Sequence, residues 1–326
     1  MLCLFHNETH PAFNLAAEEY MLRSVDHNVF MLWRNANAVI VGKHQNTLAE
    51  INAEFVDKHN VQVIRRLSGG GAVFHDLGNL NFTFIMKSDE ERRVDFKKYT
   101  RPILEVMEQL GVPARFEGRN DLTINGLKFS GNAEHVWKNR VLHHGTLLFS
   151  SELSHLAGAL KSNPEKFHDK GVKSVRSRVT NISDHLKEPM DVLTFGNKIM
   201  QHVQSIYPDA KSYHFSESDV NAIRTLQKEK YDTWEWNYGY SPKYNFVQSK
   251  RSSAGTIELR MYVEKGVIQD LIFYGDFFGQ RDPATLKELF RGKRHGRTEI
   301  KQVVDEISVD LYFSGATPDD VVDLFF

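Results

Sequence analysis

The run VIRRLSGGGAVFHD, residues 63–76, places three consecutive glycines between two apolar segments. Glycine loses more backbone freedom on folding than any other residue, so a packed helix or strand gains nothing from Gly69, Gly70 and Gly71. The chain therefore forms an irregular loop here. Either this loop is a plain turn between strands, with Arg65 and Arg66 in solvent, or its bare backbone lies against a ligand.

The spacing of these glycines excludes two common nucleotide-binding loops. A Walker loop ends in Gly-Lys-Ser or Gly-Lys-Thr, which no segment supplies, and a dinucleotide fingerprint has spaced glycines that open a helix. The remaining ligand interpretation is an anion site. Successive backbone N–H groups would hold anionic oxygens, and Arg65 or Arg66 would add a charged fork.

Composition bounds the classes of function. The 326 residues suffice for one large domain, or for a large and a small one. The net charge of −1 does not indicate the basic surface that binds nucleic acid or anionic membranes. Cys3 is the single cysteine, which excludes intramolecular disulfides and cysteine-rich zinc sites. No apolar run reaches the roughly 18 residues of a membrane helix, and the first residues do not read as a signal peptide. We therefore expect a soluble, cytoplasmic protein.

Strand and helix patterns alternate irregularly along the chain, which favours an α+β fold over a doubly wound parallel sheet. Apolar residues of the first helix pattern, NLAAEEYMLRSV, alternate with acids, as in an amphipathic helix. The composition shifts at TWEWNYGYSPKYNF, and a polar stretch follows. We place a domain boundary there, giving a large domain at 1–248 and a small one at 249–326 that begins with a hairpin.

A second informative segment is GRNDLTINGLKFSGN, where Asn125-Gly126 predicts a two-residue hairpin turn. In that register Leu122 faces Phe129 on an apolar side, while Asp121 faces Ser130 and Thr123 faces Lys128 on a polar side. An ordinary exterior hairpin has the same pattern. The flanking glycines and amides instead suit close approach of a ligand, and Lys128 beside Asp121 suits a phosphate or a transferring acyl group.

Two further segments carry candidate functional residues. His143 and His144 are neighbours in a strand pattern, so they point to opposite faces and make a poor metal pair. One is a candidate for function and the other for structure. The basic segment KGVKSVRSRVTNIS, residues 170–183, is either a solvated face or a mobile loop that closes over an anion.

Together, RRLSGGGAVFHDLGNLNFTF, GRNDLTINGLKFSGNA, HHGTLLF and KGVKSVRSRVTN resemble the lipoate–protein ligase A family. FNLAAEEYML and LWRNANAVIVGKHQN near the start resemble it as well. The resemblance extends from about Asn14 through WEWNYG, and more weakly beyond. It implies a large, mixed-sheet catalytic domain of the biotin/lipoate-ligase type followed by a small α+β accessory domain.

The resemblance also implies the reaction and its site. Lipoate and MgATP form lipoyl-AMP, and the lipoyl group then passes to a lysine of a lipoyl domain. By motif match, Arg66 and the run Gly71, Ala72, Val73 and Phe74 bind ATP, Lys128 contacts both lipoate and nucleotide as the catalytic residue, and Ser68 and Gly70 contact lipoate. The basic segment matches the segment that covers the adenylate in proteins of that family. Asp121 is a weak candidate for a Mg²⁺ ligand.

The acceptors implied are the E2 subunits of 2-oxoacid dehydrogenases and the glycine-cleavage H protein. Three alternatives remain: an acyl transferase acting without ATP, a transferase that uses preformed adenylate, and a non-catalytic lipoate-binding protein. The first fits poorly because Cys3, the one thiol, precedes every motif. The intact Arg66, glycine loop and Lys128 argue against the last. The sequence leaves open lipoate against octanoate, and the group that receives the proton of the acceptor amine.

Overall fold

The structure, a computed structural model, describes residues 1–45, 47–88, 95–160, 179–237, 246–264, 267–294 and 297–325. Its strands are β1 (Leu2–Phe5), β2 (Val29–Trp33), β3 (Ala38–Val41), β4 (Gln62–Arg65), β5 (Val73–His75), β6 (Asn79–Lys87), β7 (Ala114–Glu117), β8 (Asp121–Ile124), β9 (Leu127–Trp137), β10 (Arg140–Leu148), β11 (Lys211–Ser212), β12 (Phe246–Ser252), β13 (Gly255–Glu264) and β14 (Val267–Gly275).

The α-helices are α1 (Pro11–Ser24), α2 (Thr47–Glu50), α3 (Ala53–Lys58), α4 (Phe96–Gln109), α5 (Leu153–Ala159), α6 (Val192–Ile206), α7 (Glu217–Leu226), α8 (Trp234–Asn237), α9 (Lys287–Phe290), α10 (Arg297–Asp305), α11 (Val309–Tyr312) and α12 (Pro318–Asp323). Strands and helices follow one another without a repeating βα unit. This confirms the α+β class.

The large sheet has eight strands in the order β11-β1-β2-β6-β10-β9-β8-β7. β11, β1 and β2 pair in parallel and the other neighbours pair antiparallel, so the sheet is mixed, as predicted. Successive side chains of a strand point to opposite faces. β2 therefore gives Phe30 and Leu32 to one face, and Met31 and Trp33 to the other.

Different elements pack on the two faces of this sheet. Helices α4 and α6 pack on the face of Phe30 through Ile103, Val106, Phe195 and Ile199. Helix α1 covers the other face, together with part of a small sheet of order β4-β3-β5. Since both faces of β2 are buried, its sequence is apolar throughout instead of alternating with polar residues.

A third sheet, β12-β13-β14, packs with helices α9 to α12 around a separate apolar core. Its hairpin β13–β14, which pairs Glu264 with Val267, is the hairpin expected near the start of the small domain. Ser249, where the sequence places the domain boundary, falls inside β12. The boundary itself stays a prediction.

One expectation about the helices is wrong. Helix α1 is buried around most of its circumference, including Glu18 and Glu19, which are 3% and 2% exposed, so it is not an amphipathic surface helix. The N-cap residue of α5 is Glu152, whose side chain makes no cap hydrogen bond. In contrast, Thr317 caps α12, and Pro318 occupies the first position of that helix.

The hairpin β8–β9 forms with the expected turn, since Asn125 and Gly126 have φ of 53° and 79°. The pairing agrees with the prediction as far as Thr123 and Lys128 and differs from it beyond that pair. A bulge makes Leu122 face Ser130 and Asp121 face Gly131. The predicted pairs Leu122–Phe129 and Asp121–Ser130 are therefore wrong.

Within the described residues, no helix is both long and apolar enough to cross a membrane.

Candidate functional site

A cavity of about 120 Å³ lies between the large sheet and the small sheet that covers it. Its floor is one face of the large sheet, formed by Trp33 of β2, Asn81 of β6 and His144 and Thr146 of β10. The small sheet adds Ile40, Val73 and His75, the glycine loop adds Gly70 and Gly71, and the hairpin β8–β9 adds Lys128 and Gly131. Phe278 comes from the C-terminal unit, which comprises β12 to β14 and α9 to α12. The two most informative sequence segments therefore meet in one cavity.

Different features of the structure explain why glycine occupies positions 69, 70 and 71. A Cβ on Gly69 would stand 2.2 Å from the carbonyl oxygen of Phe277. Gly70 has φ of +90°, which residues with a side chain rarely adopt, and its N–H donates to the same carbonyl at 3.2 Å. Gly71 lines the cavity, where an added Cβ would meet its nearest atom, of Asp276, at 3.9 Å. Gly69 and Gly70 are thus explained by packing against the C-terminal unit, and Gly71 by the cavity.

Arg65 is fully buried and supports the fold instead of facing a ligand. Its guanidinium donates to the carbonyl oxygens of Gly42 at 2.9 Å and Gln45 at 2.7 Å, and to Thr47 Oγ1 at 2.6 Å. The solvated position expected for Arg65 in a plain turn is therefore wrong. Its many backbone acceptors fix the segment after β3 beneath the glycine loop.

Arg66 is 5% exposed and lines the cavity. Its Nη2 donates to the carbonyls of Gly69 at 2.6 Å and Gly71 at 2.8 Å, and its Nε donates to Ser68 Oγ at 3.0 Å. Burial lowers the pKa of Arg66 to about 10, so the guanidinium keeps its charge at neutral pH. Arg66 therefore both shapes the glycine loop and brings a positive charge to the cavity.

Ser68, His144 and Glu18 form a buried hydrogen-bonded chain. Ser68 Oγ lies 2.6 Å from His144 Nε2, and His144 Nδ1 lies 2.9 Å from Glu18 Oε1. Arg66 Nε can only donate to the Ser68 hydroxyl, and the proton on His144 Nδ1 is accepted by Glu18 Oε1. The imidazole of His144 thus lies between the buried Ser68–Arg66 pair and the buried side chain of Glu18.

The sequence did not identify Glu18 as part of this site. It was expected on the solvent face of α1, but its Oε1 also accepts from Thr83 Oγ1 at 2.6 Å, which in turn accepts from Trp33 Nε1 at 2.9 Å. The one available signal was a pair of acids within an otherwise apolar helix pattern.

Lys128 lies at the opposite side of the cavity, with a side chain that is 39% exposed. Its Nζ is 2.7 Å from Asp121 Oδ1, so the predicted lysine–aspartate pair is formed despite the bulge. A Cβ on Gly131 would stand 3.1 Å from Nζ, so the end of the Lys128 side chain lies directly beside Gly131. The N–H of Thr180 donates to the Lys128 carbonyl at 3.0 Å.

Other predicted site residues are placed as follows. Ala72 and Val73 line the cavity, whereas Phe74 packs its side chain into the core between the small sheet and α5. Ser68 stands one hydrogen bond behind the lining residues Arg66 and His144. Most of the basic segment, residues 170–178, lies outside the described residues.

The two adjacent histidines point to opposite faces, as predicted. His144 faces the cavity, whereas His143 is 0% exposed on the other face, with Nδ1 2.9 Å from Glu134 Oε1 and its ring beside Tyr99. Burial lowers the pKa of His143, the largest influence on it. His143 is thus the structural histidine of the pair.

In the parts of the chain that the structure describes, no three His, Cys, Asp or Glu side chains converge as a metal site. Asp121 is a single carboxylate held by Lys128. Cys3 is 2% exposed within the core on the α4 and α6 face of the large sheet, and burial raises the pKa of its thiol.

Comparison with known proteins bears on the identity of this site. Residues 10–204 match the lipoyl protein ligase A/B catalytic domain, and residues 241–325 match the bacterial lipoate protein ligase C-terminus. The chain is 42% identical over 324 residues to the lipoate-protein ligase LplJ of Bacillus subtilis, covering 98% of each chain. It is 40% identical to lipoate–protein ligase 1 of Staphylococcus aureus, covering 94% of each.

Solved structures agree. The LipL1 protein of P. falciparum, solved in complex with lipoate, has a TM-score of 0.79 at 24% identity and 94% coverage of both chains, which supports the fold. A lipoate-protein ligase A bound with ATP has a TM-score of 0.65 at 26% identity, covering 73% of this chain and 98% of its own.

A bi-partite lipoate protein ligase of Thermoplasma acidophilum, studied with its E2 lipoyl domain, has a TM-score of 0.63 at 30% identity and covers 75% of this chain and 98% of its own. Both matched domains, and identities of 40% or more over nearly the whole length, point to one family. The chain therefore belongs to the lipoate–protein ligase family.

Proposed function

We propose that this chain joins lipoate to a lysine of an acceptor protein in two steps driven by ATP. In the first step the lipoate carboxylate attacks the α-phosphate, which forms lipoyl-AMP and releases pyrophosphate. In the second step the lysine amine attacks the acyl carbon, an amide forms, AMP leaves and the amine loses a proton. The observation that supports this best is the convergence of Arg66, Gly71 and Lys128 on one cavity in a chain of this family.

Lys128 is assigned the catalytic role. Carboxylate and triphosphate repel each other, so adenylation requires positive charge between them. Lys128 Nζ is a compact, partly exposed charge at the cavity, and Asp121 beside it orients the ammonium. Placed between the carboxylate and the α-phosphate, Nζ would bind more strongly as charge rearranges in the transition state.

The glycine loop is assigned to the nucleotide. Arg66 and the backbone of residues 71–74 would hold ATP, since Gly71 leaves open space at the cavity wall. The Phe74 side chain faces the core, so its contribution would come from the main chain. Gly70, at the wall, and Ser68, one hydrogen bond behind it, are assigned to lipoate.

Mg²⁺ is expected with ATP, because it commonly takes one or two carboxylates and fills its remaining positions with phosphate oxygens and water. Asp121 is one carboxylate near the cavity, although it pairs with Lys128 and is not among the residues that line the cavity. When bound, Mg²⁺ would neutralise charge on the triphosphate.

The proposed acceptors are lipoyl domains, including the E2 subunits of 2-oxoacid dehydrogenases and the glycine-cleavage H protein. The T. acidophilum ligase, studied with an E2 lipoyl domain, supports this class of partner. The cytoplasmic location expected from the sequence stays a prediction.

A thiol-dependent transfer without ATP is disfavoured. That mechanism needs an accessible thiolate, whereas Cys3 is buried in the large sheet and does not line the cavity. Burial also raises its pKa, which disfavours the thiolate further.

The experiment that tests the proposal is pyrophosphate release from MgATP with lipoate present and acceptor protein absent. We expect lipoate-dependent release. Release at the background level, with lipoate binding intact, would restrict the chain to transfer of preformed adenylate or to ligand binding. Adding a lipoyl domain afterwards should yield a product that is heavier by one lipoyl group.

A further inference from the structure

The cavity has a direction, which the strand register gives. Along the floor, Trp33 pairs with Asn81, Asn81 pairs with Thr146, and the Thr146 hydroxyl accepts from the Gly131 N–H at 3.2 Å. These residues belong to the neighbouring strands β2, β6, β10 and β9, so three strand spacings of ~4.8 Å separate the two ends by roughly 14 Å. Lys128 stands beside Gly131 at one end, and Trp33 marks the other.

His75 lies at the Trp33 end. It is 3% exposed, its ring centroid is 6.1 Å from that of Trp33, and it lines the cavity from the small sheet above. A ligand whose carboxylate reaches Lys128 therefore extends its far end toward His75 and Trp33.

The hydrogen bonds of neighbouring amides fix which nitrogen of His75 carries the proton. Asn14 Nδ2 donates to the backbone carbonyls of Glu8 and Arg34, which can only accept, and also to Asn35 Oδ1 at 2.9 Å. Asn35 must then present its Nδ2 to His75 Nδ1, at 3.1 Å. Nδ1 is therefore the acceptor, and the proton resides on Nε2.

His75 Nε2 is buried and has no hydrogen-bond partner among the described residues. Burial lowers the pKa of His75 to about 3, with smaller contributions from Arg66 and His144, so the ring is neutral at physiological pH. Nε2 thus presents one unpaired N–H in the interior, and leaving such a donor unpaired is costly.

We propose that His75 is a specificity residue whose Nε2–H donates to a sulfur of the dithiolane ring at the far end of lipoate, favouring lipoate over unsubstituted fatty acids of the same length. This inference rests on the proposed function, and it names the feature of the substrate that the far end of the cavity recognises. The saturated tail of octanoate offers no acceptor and leaves Nε2–H unpaired. A ring sulfur is a weak acceptor and also contacts aromatic rings such as that of Trp33 favourably.

The first test uses the unchanged chain and three acids: lipoate, octanoate and 5-cyclopentylpentanoate, which keeps the ring and chain of lipoate but has no sulfur. The measurement is kcat/KM for pyrophosphate release with MgATP, supported by equilibrium binding of each acid without ATP. We expect lipoate to exceed both sulfur-free acids by about threefold to tenfold, as one weak hydrogen bond allows. Equal values for lipoate and the cyclopentyl acid would overturn the proposal, because shape alone would then explain the preference.

The second test uses variants of the histidine. His75→Phe should lower the lipoate to cyclopentyl-acid ratio by about threefold to tenfold, while binding of the sulfur-free acids stays equal or improves. His75→Gln keeps an acceptor for Asn35 and an N–H donor in place of Nε2–H, so it should retain most of the ratio and serves if the Phe variant does not fold. A ratio unchanged in folded His75→Phe would overturn the proposal.

The matched control is His6→Phe. His6 packs against Phe13 and Phe215, and both its ring nitrogens are buried without a partner among the described residues, but it does not line the cavity. Its ratio should stay within about twofold of the unchanged chain. Pyrophosphate release that is absent with every acid would count against the proposed function. The binding ratios would still decide on His75.

Discussion

At the scale of single residues, Lys128 combines a partly exposed position with the central place in the proposed chemistry. Lys128→Ala should stay folded, because surface substitutions usually change stability by less than ~0.5 kcal/mol. Its adenylation rate should fall several hundred-fold, since one electrostatic partner of a transition state is typically worth ~3–4 kcal/mol. Lys128→Arg should recover little, because a planar fork does not replace a compact charge. Lipoyl-AMP formation and thermal melting measure both effects.

A matched control for Lys128 is Lys87→Ala. The Lys87 side chain is 43% exposed and pairs with Asp26 at 2.8 Å, a similar surface ion pair on β6 that lies away from the cavity. Its loss should leave adenylation unchanged. Near-normal activity in Lys128→Ala would remove this lysine from the mechanism and leave the hairpin with a structural role.

Cys3 gives a second prediction at this scale. Cys3→Ser should leave acyl transfer near the original rate, because no thioester forms on the buried thiol, but it should lower stability by about 1–3 kcal/mol, the cost of an unpaired buried hydroxyl. Cys3→Ala, without that hydroxyl, separates the two effects. Acyl-enzyme trapped on Cys3 in the unchanged chain would contradict the adenylate mechanism.

Local pattern predicted some of these residues and missed others for a physical reason. Asn125-Gly126 sets the turn that brings Lys128 close to Asp121, and both lie within a few positions of it. Glu18 is buried by His144, which lies 126 positions away in the sequence. Contacts of that separation depend on the tertiary fold, and a single sequence contains no periodic signal for them.

At the scale of elements, the glycine loop offers a pair of variants with opposite expected effects. Gly71→Val has space at the backbone but fills the cavity wall, so it should weaken ligand binding far more than it lowers the melting temperature. Gly69→Ala drives a Cβ against the Phe277 carbonyl, so it should lower stability first. Lipoate and ATP binding compared with thermal melting distinguish them. Equal losses of binding and melting in Gly71→Val would favour a plain turn.

The hairpin β8–β9 shows how far an element can be predicted. Turn chemistry sets the two pairs next to Asn125-Gly126, Ile124 with Leu127 and Thr123 with Lys128, and the predicted Thr123–Lys128 pair is confirmed. Leu122, Ile124 and Phe129 lie together in the core, as the apolar alternation predicts, although a bulge beyond Thr123 shifts the pairing. A bulge adds one unpaired residue to one strand, and the alternating pattern alone does not reveal where it occurs.

At the scale of the whole molecule, the strands β2 and β3 show what apolar patterning does not determine. They are neighbours in the chain, yet β2 pairs in the large sheet and β3 in the small one. The cavity lies between these two sheets, so its existence follows from long-range pairing. Apolar periodicity predicts which segments are strands, whereas it does not select their partners among several similar apolar runs.

Buried histidines make the stability of the whole molecule dependent on pH. Burial lowers the pKa of His44, His75 and His135 to about 3, and that of His6 to about 4. Below the ordinary histidine pKa of ~6.5, the unfolded chain binds protons that the native state does not bind. The free energy of unfolding therefore falls as the pH drops from 6.5 toward 3, and the stabilisation is complete above that range.

Between pH 7 and pH 5 each such histidine should remove up to about 2 kcal/mol from the free energy of unfolding, while most carboxylates stay ionised. His6→Phe tests one of them without touching the cavity, because phenylalanine keeps the ring contacts with Phe13 and Phe215 and cannot titrate. Urea unfolding at both pH values, for the variant and the unchanged chain, isolates the effect, since packing differences are already present at pH 7. The variant should lose less stability on acidification by up to about 2 kcal/mol. An identical loss in both proteins would mean that His6 takes up its proton in the native state, through local opening around its ring.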